Sequence, residues 1–245
     1  MSFKIITDST ANLSNEYLQK NSISVVTLYY LLDGEVFPAY KTDKPELLEE
    51  FYQRIKNKPK LSTSCANDDQ YYVEFEKAVK SAVPVLYIGF SSGVSATFSS
   101  AMIAKDRIVQ NYPNAEIYCV DTLTGSFGQG YFVEQSVIMR ENGKTAKEVY
   151  DYITSERERM NTYVTVDDLY YLHKGGRIPA IAYRIGTLVK IKPIIKVNGE
   201  GKLVSTAKVI FFLAQHAKPI NKKTPVVLFF VAYRSKGDST WSTFI

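Results

Sequence analysis

The sequence predicts an α/β fold, on three observations. Short apolar runs alternate with helix-like segments through the first 160 residues. Three of those runs stop at polar loops rich in Ser, Thr and Gly, at Thr7–Asp8, Gly89–Ser91 and Val120–Asp121. Several helix-like segments open on a capping signal. Such alternation is the pattern of a mostly parallel sheet flanked by helices, and in such sheets ligands sit outside the carboxyl ends of the strands. Beyond residue 160 the texture changes to shorter β-like runs, Leu188–Val197 and Lys202–Thr206, joined by Gly-rich turns. We therefore expect an N-terminal α/β lobe over residues 1–160 and a C-terminal α/β lobe over 161–245.

The elements follow in order. Phe3–Thr7 is a buried strand that runs into the polar Asp8-Ser9-Thr10. Ser14 is the N-cap candidate of a short helix, Asn15–Lys20. Ser24–Leu32 and Glu35–Tyr40 flank Asp33-Gly34, two positions that tolerate positive φ, which signals a hairpin. Pro45 suits a first helical turn, so a helix is expected from Asp43–Glu46 to about Lys56. Lys60–Asn67 reads as a polar loop and Asp68–Ala82 as a helix, with Tyr71, Tyr72, Phe75 and Val79 near one face. Val83–Phe90 is the next strand, Ser91–Thr97 a Gly/Ser loop, and Ala96–Gln110 a helix. Glu116–Val120 is a third strand and Gly128–Glu141 a long helix. Thr145-Ala146-Lys147-Glu148 fits a capping box, and its helix is expected to reach about Asn161.

Composition narrows the function. A chain of 245 residues buries a real core, and 45% hydrophobic with 22% charged residues is ordinary for a globular protein. A net charge of +5 is too mild to argue by itself for nucleic acid. Two cysteines, Cys65 and Cys119, do not make a disulfide scaffold, and packing is their expected role. Two isolated histidines, His173 and His216, without a Cys/His/Asp cluster give no metal site. MSFKIITDST lacks the apolar stretch of a signal peptide, and no apolar run reaches the ~18 residues a membrane helix needs. The expected setting is cytoplasmic, with no stable membrane insertion.

Four stretches carry candidate chemistry. Ser91-Ser92-Gly93-Val94-Ser95-Ala96-Thr97 lies between a strand and a helix, with Ser95 as candidate N-cap. A helix start has unpaired N–H groups and partial positive charge, so hydroxyls beside it suit a carboxylate; simple capping is the alternative. The loop lacks the Gly-Lys-Ser/Thr of a phosphate-binding P-loop. Asp8, at a strand end, is either a phosphoryl-accepting nucleophile or an acceptor for loop amides. The second acid that haloacid dehalogenases carry two residues on is replaced by Thr10. Ser62-Thr63-Ser64-Cys65 offers hydroxyls for an anion or for the next helix. In Lys174-Gly175-Gly176-Arg177 the glycines free a turn, and Arg177 is shaped for two-point contact with a phosphate or carboxylate. From His173 to Lys208 eight Lys or Arg residues face one acid, Glu200. This stretch is either a solvated face or a surface for an acidic partner or phosphate.

Together these motifs resemble the DegV family of fatty-acid-binding proteins. The matching stretches are Ile6–Ala11, Thr63-Ser64, Ser92–Thr97, Val120-Asp121-Thr122, Gly128-Gln129-Gly130, Lys174–Ile178 and Ile191-Lys192-Pro193-Ile194, over roughly Met1 to Lys208. The resemblance implies a two-lobed α/β fold that holds one long-chain fatty acid in a buried apolar tunnel between the lobes. It implies that the carboxylate is gripped by Thr63 and Ser95, with Ser64, Ser92 and Gly93 close by. It also implies a bacterial carrier that needs no cofactor, is not itself an enzyme, and presents the acid to a partner fatty acid kinase. Arg177 would face that kinase or the acyl phosphate.

The chain departs from the family pattern in places. Cys65-Ala66 stand where Gln-Pro is usual, and Ala96 stands where a glycine is usual. After Lys208 the pattern shifts to Val209–Leu213, Val226–Tyr233 and Trp241–Ile245, with neither His216 nor Arg234 matching a family position. A shifted reading frame or a truncation would account for this, and residues 209–245 are expected to be a non-homologous, loosely packed tail that leaves the second lobe incomplete or altered. Two other readings stand beside the carrier: a phosphoryl or acyl transferase using Asp8 or Ser95, and an RNA-binding module using the basic stretch.

Overall fold

The computed structural model describes residues 2–39, 45–57, 59–166, 169–179, 194–205, 227–233 and 242–244. Strands β1 (Lys4–Asp8), β2 (Ser24–Val26), β6 (Val85–Gly89) and β7 (Ile117–Asp121) form one wholly parallel sheet in the order β2-β1-β6-β7. Consecutive residues of β1 and β6 are buried because both faces of the sheet are covered, as parallel sheets require. On one face Ile5, Leu86, Ile88 and Val120 meet Phe132, Val133 and Val137 of α5 (Phe127–Glu141) and Val149 and Ile153 of α6 (Ala146–Glu156). On the other, Ile6, Val85, Tyr87 and Ile117 meet Tyr71 and Phe75 of α3 (Asp68–Val79) and Ala101, Ala104 and Ile108 of α4 (Thr97–Asn111). Each large side chain buried this way contributes roughly 1.5–3 kcal/mol, so this sandwich is the rigid base on which the loops stand.

Local signals set several boundaries. α1 spans Asn15–Lys20, and the Ser14 hydroxyl accepts from the Tyr17 amide. Asp33 and Gly34 both take positive φ, 53° and 96°, between β3 (Tyr29–Leu32) and β4 (Glu35–Pro38), the requirement of a type I′ hairpin. The Thr145–Glu148 capping box is fully formed. α2 spans Pro45–Ile55.

Four expectations need correction. Ser24–Leu32 is two strands in two sheets: β2 extends the parallel sheet, while β3 joins a three-stranded sheet ordered β4-β3-β5. The polar loop expected over Lys60–Asn67 contains β5 (Leu61–Ser64), which pairs antiparallel with β3; its hydroxyl-rich sequence has no apolar alternation, and the free edge of β3 makes it a strand. The helix after Thr145 stops at Glu156, passes through a 3-10 turn at Arg157–Arg159, and gives way to β8 (Met160–Val166). The run MNTYVTV is β-branched and aromatic, which suits a strand.

β8 begins a third sheet ordered β10-β9-β8-β11-β12, with β9 (Ile194–Val197), β10 (Leu203–Ser205), β11 (Val227–Tyr233) and β12 (Ser242–Phe244), all antiparallel. α7 (Tyr170–Lys174) accompanies it, and Leu169, Ile178 and Ile195 form its small core. The fourth correction concerns the tail, since β11 pairs with β8 in register from Val227↔Val166 to Tyr233↔Met160. Part of the tail is therefore sheet structure continuous with the second lobe. Of the Ile191–Ile194 motif, residues 191–193 lie outside the described residues, as do 188–193 of the Leu188–Val197 run, residue 206, Val209–Leu213, His216, Arg234 and Trp241.

Candidate functional site

The strand order β2-β1-β6-β7 reverses direction between β1 and β6, the place where such sheets open a ligand crevice at their carboxyl ends. Asp8 ends β1 at that point. It is fully buried, and its Oδ2 accepts from the Tyr87 hydroxyl at 2.9 Å and the Phe90 amide at 3.0 Å. Its Oδ1 accepts from the Thr10 amide at 3.0 Å and from the Thr10 hydroxyl, which is shared with Gln129 Oε1 at 2.6 Å. Gln129 in turn donates to Thr7 Oγ1 and the Ile88 carbonyl. Asp8 thus holds loop amides, and a carboxylate enclosed by four donors is not placed to attack a phosphoryl group. Ser9 has the same kind of role, accepting from the Leu28 amide at 3.0 Å.

The Ser91–Thr97 loop follows the carboxyl end of β6. The hub of the Ser91–Thr97 loop is Ser91, a buried residue outside the predicted grip. Its hydroxyl donates to the Gly201 carbonyl at 2.7 Å and accepts from the Gly93 amide at 3.2 Å. Its carbonyl accepts from the Val94 and Ser95 amides, both at 3.2 Å. The Ser92 amide donates to both oxygens of Asp121, and the Leu123 amide to one of them. Asp121, at the end of β7, is therefore the anchor of the loop. Sequence reasoning quoted Asp121 without giving it a role; a carboxylate at a strand end beside a glycine loop is the signal for one.

Ser95 is not the N-cap of α4. That position is Ala96, which offers no side-chain cap; Ser95 Oγ accepts from the Thr97 amide at 3.2 Å and shares a hydrogen bond with Thr97 Oγ1 at 2.9 Å. Ser95 is half-buried and Ser92 exposed, at the start of a 15-residue helix. A helix start with two hydroxyls beside it favours a carboxylate by charge and by hydrogen bonding.

Thr63 and Ser64 stand on β5, in the three-stranded sheet β4-β3-β5. Thr63 is paired with Tyr30 and Ser64 with Tyr29, so they point to opposite faces. Both are exposed, and Ser64 Oγ donates to the Cys65 carbonyl. Among the described residues no hydrogen bond links Thr63 or Ser64 to Ser92, Gly93 or Ser95. The alternation means that one side chain of this pair, not both, can face a given ligand.

Arg177 follows a complete Schellman stop to α7. Gly176 takes φ +75°, its amide donates to the His173 carbonyl, and the Arg177 amide donates to the Leu172 carbonyl. The glycine pair is therefore a helix terminator that delivers an exposed arginine. A cleft of about 530 Å³ brings this turn to the Ser-Gly loop, lined by Gly93 and Val94 from one side and Gly175–Pro179, Lys202 and Leu203 from the other. Gly93 and Arg177, 84 positions apart in the chain, thus border one space. Glycine at 93 is required there: a Cβ would lie 2.5 Å from the Glu200 carbonyl oxygen. Cys65 and Cys119 are free thiols, and burial pushes the Cys119 thiol up to about 12, which suits packing rather than nucleophilic chemistry. Among the described residues no group of three His, Cys, Asp or Glu is placed to hold a metal ion, and no helix is long and apolar enough to cross a membrane.

The fold is thus α/β, with a hydroxyl and glycine loop at the strand ends of a parallel sheet facing an antiparallel sheet across a cleft. The chain belongs to the DegV family: the family's sequence model, described as "Uncharacterised protein, DegV family", matches residues 2–218. The match runs ten residues past Lys208, so the non-homologous tail does not begin at 209. The DegV domain-containing protein YteA of Lactococcus lactis is 36% identical over 212 residues, 85% of this chain and 72% of that protein. Among solved structures, a stearic-acid-binding protein from Eubacterium ventriosum matches with a TM-score of 0.74 at 27% identity, covering 84% of this chain and 70% of that one. A DegV family protein from Thermus thermophilus described as binding fatty acid matches with a TM-score of 0.73 at 26% identity, covering 85% and 71%.

Proposed function

We propose that this protein binds one long-chain fatty acid between its lobes and presents the carboxylate to a partner fatty acid kinase. The observation that carries the reading is the fold match, at 26–27% identity, to proteins described as binding stearic acid and fatty acid. The physics of the ligand supports it. Each methylene buried contributes ≈ 0.8 kcal/mol, so the acyl chain supplies affinity without charged contacts, whereas the carboxylate needs hydrogen bonds once it leaves water. In this proposal Ser92, Gly93 and Ser95 hold the carboxylate at the start of α4, with Thr63 or Ser64 approaching from β5. The lobes divide near residue 160, into 1–160 and 161–245.

The protein acts as a carrier in the cytoplasm and leaves the chemistry to the kinase. Its transferase alternative is disfavoured by the full hydrogen-bond complement of Asp8. The exposed Arg177 at the cleft beside Gly93 gives the kinase, or the acyl phosphate it makes, a cationic contact, while the nearby Lys202 is paired with Glu200 at 2.7 Å. Replacing Ser95 by Ala tests the grip: fatty-acid affinity falls about tenfold, the loss of one charge-assisted hydrogen bond. An unchanged Kd removes Ser95 from the site.

A further inference from the structure

A chain of polar groups crosses the apolar layer beneath the candidate site. Tyr71 and Tyr87 are both fully buried among Phe75, Ala101 and Ala104. Their hydroxyls are 3.0 Å apart, and Tyr87 donates onward to Asp8 Oδ2 at 2.9 Å. A carboxylate oxygen only accepts, so Tyr87 spends its proton on Asp8 and takes that of Tyr71. Phe90 donates its amide to the same Asp8 oxygen, one residue before the Ser91 loop.

The Tyr87 ring touches the first turns of both helices that follow the hydroxyl motifs. It meets Tyr71 on α3 edge-on at 5.1 Å, and Phe98 on α4 nearly parallel at 6.2 Å. Tyr71 lies seven positions after Ser64, and Phe98 three after Ser95. Gly89 leaves room for this arrangement, since a Cβ there would lie 2.7 Å from both the Tyr87 and Phe98 rings. An apolar layer needs no hydroxyls, and phenylalanines at both positions would fill the same space. Desolvation, and next the nearby Asp8 charge, push both phenols well above their ordinary range, so they remain donors.

Resting on the fatty-acid reading above, we infer that Tyr71, Tyr87 and Asp8 form a positioning element that fixes the spacing of the two hydroxyl motifs around the ligand carboxylate. Tyr87 ties the start of α3 to the start of α4, while Asp8 ties Tyr87 to the backbone at Phe90. All three are fully buried, so they act through the motifs they hold.

The test compares affinities for palmitic acid and for hexadecanol, which share the acyl chain and differ at the head. In Tyr87→Phe the acid-to-alcohol affinity ratio falls about tenfold, the equivalent of ~1.4 kcal/mol. In Tyr71→Phe, which keeps the Tyr87–Asp8 bond, it falls about threefold. Val149→Ala, on the opposite face of the sheet, destabilises the fold and leaves the ratio unchanged. If Tyr87→Phe does not fold, Tyr71→Phe decides. Wild-type protein that binds palmitic acid, with the ratio unchanged in a folded variant, overturns the inference. Wild-type protein that does not bind palmitic acid overturns the fatty-acid reading instead.

Discussion

Replacing Gly93 by Ala is the sharpest perturbation of the contact between the lobes. The added Cβ would lie 2.5 Å from the Glu200 carbonyl oxygen, 2.6 Å from the Gly201 carbonyl carbon and 2.8 Å from its oxygen. All three are backbone atoms of the turn between β9 and β10, so no side chain can swing away. Ordinary contact lies near 3.5 Å, and the turn must therefore retreat by about 1 Å. The Ser91–Gly201 hydrogen bond, now 2.7 Å, would stretch to about 3.7 Å and break. Overpacking costs roughly 1–3 kcal/mol and the lost hydrogen bond about 1 kcal/mol, for a total near 2–4 kcal/mol. Urea unfolding followed by circular dichroism and tyrosine fluorescence measures it, and fatty-acid titration should show at least a tenfold weaker Kd. A variant within about 0.5 kcal/mol of wild type, the usual range for surface changes, with unchanged affinity would mean that Gly93 does not pack against this turn.

Two further predictions concern α6 and its cap. Thr145→Ala removes the acceptor for the Glu148 amide and should cost about 1 kcal/mol in thermal or urea unfolding; a cost near zero contradicts the cap. Glu148 is held at about 2 by its hydrogen bond with Lys144, then by those from Thr145. A folded-state value below the unfolded one means that the stabilisation is present above pH ~4.5 and is lost as pH falls towards 2. The stability gap between wild type and Glu148→Gln should therefore narrow over that interval, and a gap constant from pH 6 to 2.5 would contradict the assignment.

The parallel lobe was legible because its signals are local. Ser14 and Thr145 cap where their hydroxyls suggest, and Asp33-Gly34 turns the chain because both residues accept positive φ. What escaped depends on distant partners. Leu61–Ser64 has no strand pattern of its own and becomes β5 only because β3 has an edge to fill. The break between β2 and β3 falls at Thr27-Leu28, without glycine or proline to mark it. At the candidate site, the roles within the loops likewise depend on residues far along the chain. Ser91 is the hub because Gly201, 110 positions later, presents a carbonyl to it, and Asp121 anchors Ser92 from another strand. Asp8 could be read as an acceptor for loop amides, whereas its tyrosine partners could not, since Tyr71 and Tyr87 look like ordinary core residues until the sheet brings them within 3.0 Å of each other.

Fatty-acid binding in the proposed crevice can be read directly from what the purified protein carries. The most direct measurement is organic extraction of the purified protein followed by mass spectrometry, with a parallel sample saturated with palmitic acid and desalted before extraction. One long-chain fatty acid per chain is expected in the saturated sample, and a bound acid retained from the expression host in the untreated one. Extracts without fatty acid from both samples of folded protein would contradict it.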